Sequence, residues 1–254
     1  MKSFLIFFLA FGSLQVHAQK DYTVNMTSGT LKISEVNKVT IEGHSGPNVS
    51  IEIEDYDEED NERAAGLKLI SPSGLTDNTG IGLYVGKDDD NNTVIKAVSL
   101  RSDNRYVIKV PKAVHVYYEH STHEGDELEI RNVASEVEVS ARFNSVILKN
   151  ASGPLAISTV HGDIDADFDA IDQSNSISLT SMHGHVDVTI PAQAKANFHL
   201  SSDWGEMYTD LDLTFETEEG MKTLSTKKID AKYNGGGVDF TIKSNHSDIY
   251  LRKK

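Results

Sequence analysis

Ten histidines and no cysteine set the chemistry open to this chain: imidazole can act, thiolate cannot. Two of the histidines occupy one position in near-identical segments, Ser158-Thr-Val-His-Gly-Asp163 and Thr180-Ser-Met-His-Gly-His185, which lie 22 residues apart. A third copy, Ser201-Ser-Asp-Trp-Gly-Glu206, follows 21 residues later with an indole in the same place. His161, His183, Trp204 and the later His246 would form an external ladder if those segments stack. Such a stripe could stack on sugars or bind a metal. Metal binding needs convergent ligands at about 2 Å with a supporting second shell. Rungs about 4.8 Å apart supply at most two ligands. No metal and no cofactor is therefore expected, and the plain role is a turn position that tolerates and stacks rings.

Other candidates fare no better as catalysts. His115, His120 and His123 fall within nine residues but lack the His-Glu-x-x-His helical spacing of a metalloprotease, and read as a solvated strand. Asp163, Asp165, Asp167 and Asp169 alternate, so they share one outward strand face. Paired carboxylates serve glycoside hydrolysis, but nothing in the pattern supplies a cleft or a shifted pKa. The acidic runs Asp55–Asp60 and Asp88–Asp90 lack the twelve-residue loop of a calcium site and read as solvated loops. Gly235–Gly237 lacks the Lys-Ser/Thr of a phosphate loop, and no Gly-x-Ser-x-Gly elbow is present. No catalytic residue is assigned.

These side chains must be positioned by strands. Apolar pairs spaced i, i+2 recur every nine residues: Leu128/Ile130, Val137/Val139, Val146/Leu148, Leu155/Ile157 and Ile164/Ala166. The pattern resumes at Ile177/Leu179, Val186/Val188, Phe198/Leu200, Phe240/Ile242 and Ile249/Leu251. Period two puts both members on one strand face, which a helix would not do. At the fifth place of the six-residue connections stand Ser135, Asn144, Gly153, Gly162, Gly184, Gly205 and Ser247. Gly and Asn accept a left-handed backbone, so that conformation is expected there. Like turns on every second strand predict an all-β, single-stranded β-solenoid or β-helix-like repeat; an antiparallel β-sandwich is the alternative. About ten layers would make a rod of about 50 Å. The closing Arg252-Lys253-Lys254 is expected to guard an open strand edge. Residues 19–97 read as less regular and 98–254 as the regular part of one β-repeat domain.

The first eighteen residues read as a signal peptide: Lys2, the apolar run Phe4–Phe11, then Val16-His17-Ala18 before Gln19. Cleavage after Ala18 and an extracytoplasmic location are expected. The apolar run is too short to span a bilayer and no later stretch is longer, so an integral membrane protein is not expected. The net charge of −15 opposes a nucleic-acid partner.

The strand-[ST]-x-x-(x)-Gly-[Asp/His] units at Gly162 and Gly184 carry a resemblance. So does the closing run Tyr233-Asn-Gly-Gly-Gly237, Val238–Ile242 and Ser247-Asp-Ile-Tyr-Leu251. With the signal peptide, these resemble the bacterial adhesin-like β-strand-repeat family, a domain of unknown function, over roughly residues 128–251. The resemblance implies an extracytoplasmic β-helical fold and brings no catalytic residue. Three readings follow. The first is an exported structural or interaction protein of the cell envelope, with an envelope protein or a glycan as partner. The second is a carbohydrate-active enzyme or glycan-binding β-helix. The third is a periplasmic metal- or ligand-binding protein.

Overall fold

A computed structural model describes residues 21–55, 63, 67, 69–71, 73–215 and 227–254. The expected signal peptide lies outside the described residues, as do most of the first acidic run and residues 222–226. The described residues form strands joined by turns, with no α-helix among them.

Strands fall into two large sheets. The first contains, in spatial order, β1 (Asp21–Val24), β4 (Val49–Asp55), β7 (Arg105–Pro111), β3 (Lys38–His44), β9 (Glu127–Arg131), β11 (Ser145–Lys149), β13 (Ile164–Asp167), β15 (Val186–Ile190), β21 (Ile249–Lys253) and β17 (Met207–Thr209). The second contains β18 (Leu213–Phe215), β19 (Lys227–Tyr233), β16 (Ala196–Ser202), β20 (Val238–Ser244), β14 (Ile177–Ser181), β12 (Leu155–Thr159), β10 (Val137–Ala141), β8 (Val114–His120), β2 (Gly29–Ser34), β6 (Thr93–Ala97) and β5 (Leu83–Lys87). Each coil contributes one strand to each sheet, and equivalent strands pair in parallel, as β10 does with β12 and β11 with β13. Parallel ladders rule out the antiparallel sandwich. This is a flattened β-solenoid.

The i, i+2 pairs all point inward. Val137, Val139, Leu155, Ile157, Ile177 and Leu179 from one sheet join Val146, Leu148, Ile164, Val186 and Val188 from the other in a continuous buried core. Each fully buried aliphatic side chain contributes about 1.5–3 kcal/mol. Phe240 packs between Phe168 and Phe198, with ring centroids at 5.9 and 5.3 Å.

Spatial order departs from chain order at both ends. The last coil, β20/β21, sits between β14/β15 and β16/β17. The first coil, β2/β3, sits between β6/β7 and β8/β9. Strands β19 and β20 therefore flank β16 on opposite sides, and the connection must step over its first residues. Asn234, Gly235 and Gly236 do this with three consecutive left-handed residues (φ 49°, 83° and 85°). The Asn234 amide fastens the step by donating to the carbonyls of Ala192 and Ala194.

Arg252–Lys254 runs past β17, which pairs β21 only as far as Leu251, but the charges of Arg252 and Lys254 are not left free. Arg252 instead pairs with Asp187, and Lys254 with Asp167 and Asp169. Antiparallel strands cap both sheets at one end, β1 on β4 and β5 on β6, and the second sheet at the other, β19 on β16 and β18 on β19, while the first sheet ends there on the short parallel strand β17.

The turn glycines also differ from expectation. Gly153, Gly162, Gly184 and Gly205 have no left-handed backbone, nor has Asn144; left-handed residues stand instead at the strand-to-turn junctions Glu35, Asn132 and Asn150 (φ 55°, 56° and 53°). A Cβ on Gly162 would strike the Asn144 carbonyl, on Gly184 the Gly162 carbonyl, and on Gly205 the Ser247 carbonyl. Glycine is needed because successive coils touch backbone to backbone. A column of buried hydroxyls locks that contact. Ser181 Oγ donates to the Gly162 carbonyl at 2.8 Å and accepts from the Gly184 N–H at 2.9 Å. Thr159 does the same between Asn144 and Gly162, and Ser244 between Gly184 and Ser247.

Gly184→Ala should therefore cost about 1–3 kcal/mol through overpacking. Ser181→Ala should cost about 1–3 kcal/mol by leaving a buried carbonyl and N–H unsatisfied. Urea unfolding midpoints measure both, and unchanged midpoints would contradict the contact.

Candidate functional site

The corner formed by these turns carries the rings. From His161 onward, each ring-bearing residue donates its backbone N–H to the turn of the neighbouring coil: His161 to Arg142, His183 to Val160, His246 to Met182 and Trp204 to Asn245, at 2.8–3.0 Å. Rings anchored to a strand-spaced backbone must stack. Phe143–His161, His161–His183 and His183–His246 have centroids 4.7, 4.8 and 4.7 Å apart with interplanar angles of 22°, 8° and 12°. Trp204 closes the stack at 6.4 Å and 7° from His246.

All four expected residues thus share one ladder, in the order His161, His183, His246, Trp204. Chain order would place Trp204 before His246; intercalation of β20/β21 reverses them. Phe143 was not expected. Its turn has Asn144 in place of glycine, yet it stands eighteen residues before His161 (161 − 143), which is the signal that could have found it.

The ladder is exposed. Trp204 is 75% accessible, and Val160 and Met182 lie open beside the rings. Interior ring faces cover one another, and the outer face of Trp204 remains for stacking on a ligand. The imidazoles present their edges instead. Among the described residues, the ring nitrogens of His161, His183 and His246 and the indole N–H have no hydrogen-bond partner. Parallel rings cannot converge on one ion, and no three His, Asp or Glu side chains among the described residues come together as metal ligands.

The remaining candidates are engaged elsewhere. Asp163 and Asp165 each contact His185, at 3.0 and 3.1 Å. Asp167 and Asp169 hold Lys254. Asp88 accepts from Lys32, Asn92 and the Asp90 N–H, and the Lys32 hydrogen bond holds its carboxyl far below the usual range. His115 is exposed and meets Glu136 at 3.2 Å. His120 departs from the solvated-strand expectation: it is buried, with Nε2 2.9 Å from the Asn37 side chain.

A family model matches residues 11–252. The chain belongs to the Toastrack DUF4097 family. The resemblance read from the closing motifs is thereby placed, and this Toastrack chain has the solenoid-like, all-β fold it implied. Two solved structures are similar at low identity. A candidate cell adhesion protein from Clostridium sporogenes is 11% identical, with 93% of this chain and 100% of that chain covered and a TM-score of 0.47. A candidate adhesin from Bacteroides fragilis is 10% identical, with 93% and 96% covered and a TM-score of 0.30. No curated protein matches this Toastrack chain. Among its described residues, no helix is long and apolar enough to cross a membrane.

The ladder predicts a pH dependence. Desolvation, then the charges of His246 and His161, lower the pKa of His183 below its ordinary 6.5. Burial lowers that of His120 against the opposing charge of Glu35. A histidine whose folded-state pKa is depressed stabilises the fold fully above about pH 6.5, and that stability is lost as pH falls below it. Proton NMR should find the His183 midpoint below 6.5, moving upward in a His161→Asn/His246→Asn variant. A midpoint unmoved by both substitutions would contradict the stacked arrangement.

Proposed function

We propose that this chain is an exported, non-catalytic interaction protein of the cell envelope, engaging a glycan or an envelope protein through the ring ladder. One observation carries the reading. A row of exposed imidazole edges with unused hydrogen-bonding nitrogens runs from Phe143 to an indole with one open face. Imidazole edges can donate to or accept from sugar hydroxyls or peptide groups, and the indole adds an apolar face with a polar handle. The enzyme reading is weaker, because Asp163, Asp165, Asp167 and Asp169 are tied into ion pairs on an exposed sheet face. The signal-peptide layout at residues 1–18 supports export.

Trp204 is the chain's only tryptophan, so its emission reports directly on the ladder. Titration with soluble envelope glycan fragments or with envelope extract should shift that emission. His183→Ala should weaken the response about threefold or more, the scale of one lost hydrogen bond. A titration that leaves the emission unchanged while material binds elsewhere would contradict the reading. In fractionated cells the chain should appear outside the cytoplasm with its first eighteen residues removed. Retention of an uncleaved chain in the cytoplasm would contradict export.

A further inference from the structure

A second surface lies on the outer face of the second sheet, away from the ladder and independent of it. Parallel register sets out a grid there. Tyr117 on β8 faces Lys32 on β2 to one side and Glu138 on β10 to the other. His115 and Glu119 lie above and below it on its own strand. The β5–β6 turn folds over the neighbouring strand, where Asp88 meets Lys32 at 2.6 Å. Two concavities of about 370 and 460 Å³ result, and both include Lys32 and Tyr117. They adjoin at Lys32 and Tyr117, which line both, and together make a shallow trough on either side of the Tyr117 ring.

The trough has an unbalanced charge. Asp88, Glu119, Glu136 and Glu138 line it against Lys32 and Lys96, and Lys32 is already committed to Asp88. Glu136 reaches only His115, and Glu119 accepts from the Ser34 hydroxyl at 2.8 Å. Among the described residues, the Tyr117 hydroxyl, Lys96 and Glu138 have no partner. Desolvation, then the charges of Glu119 and Glu138, raise the Tyr117 pKa against the opposing pull of Lys32. An anion would be repelled from this surface, and a neutral sugar would leave Glu138 unanswered. A cation satisfies both the carboxylates and the aromatic ring.

We infer that the Tyr117 trough is a docking site for a cationic segment of a partner protein, one Arg or Lys side chain lying against Tyr117 between Glu119 and Glu138. The ring supplies a cation–π contact, and the flanking carboxylates supply charge-assisted hydrogen bonds.

The test uses the whole exported chain and two probes: an N-acetylated, C-amidated tri-arginine peptide and its tri-citrulline counterpart, which keeps shape and loses charge. Amide NMR shifts should localise the arginine peptide to Lys32, Lys96, Tyr117 and Glu138. Tyr117→Ala and Glu138→Gln should each lower its affinity about two- to fivefold, the range of an exposed cation–π contact or ion pair. Asp165→Asn/Asp167→Asn, on the opposite sheet, should leave affinity unchanged and so separates this site from diffuse attraction by the −15 chain. Equal binding of the citrulline peptide would overturn the inference in favour of a neutral ligand. Shifts confined to other surfaces, or affinity indifferent to Glu138→Gln in a variant with unaltered unfolding midpoint, would also overturn it.

Discussion

Backbone contact between successive turns is the constraint on which the rest of this molecule depends. At one corner of three successive turns in the stack's regular part, a carbonyl approaches the neighbouring turn so closely that no Cβ fits between them, at Gly162, Gly184 and Gly205. A Ser or Thr hydroxyl at the preceding strand end answers that carbonyl and the turn's own N–H together. Both groups are buried, where an unmet hydrogen bond is costly. The corner thus sets coil spacing and phase, and the aliphatic ladders and the ring stack inherit both.

This explains why chemistry at the corner repeats. His161, His183 and His246 stand two residues after the hydroxyl-bearing strand ends and directly before the turn's fifth residue, so fixing the backbone fixes the rings. Their stacking uses up the interior faces and leaves edges for recognition. The Tyr117 surface obeys a different logic. It lies on a sheet face, where side chains stand clear of the backbone and where the β5–β6 turn supplies relief. One scaffold therefore presents a narrow imidazole edge and a broad acidic face.

Much of the fold was legible because burial has a period. The pairs from Leu128/Ile130 to Ile249/Leu251 alternate cleanly, and each lies in the core. The turn copies at His161, His183 and Trp204 make stacking legible in the sequence. Spatial order was not legible. Phe198/Leu200, Phe240/Ile242 and Ile177/Leu179 are interchangeable as apolar pairs, so nothing local tells β14 which neighbour to choose. That choice rests on the long excursion through β19 and on the left-handed step at Asn234–Gly236. The purpose of the turn glycines was misread for a related reason. Glycine serves both a left-handed φ and a missing Cβ, and its letter does not say which. The Tyr117 trough is not legible in the sequence because its members come from four strands spread from Lys32 to Glu138, with no shared spacing.

Intercalation of the closing coil is the sharpest consequence of stacking in register, and a chain without cysteine makes it directly testable. Ser178 lies opposite Thr241 in the paired strands β14 and β20, whereas His199 on β16 is one strand further away. A disulfide needs Cα atoms about 4.4–6.8 Å apart, which adjacent strands meet and next-nearest strands do not. Mild oxidation should therefore join the pair in a Ser178→Cys/Thr241→Cys variant and leave Ser178→Cys/His199→Cys as free thiols, with mass spectrometry reading the products. Efficient bridging of the second pair and not the first would show coils stacked in chain order and contradict this account.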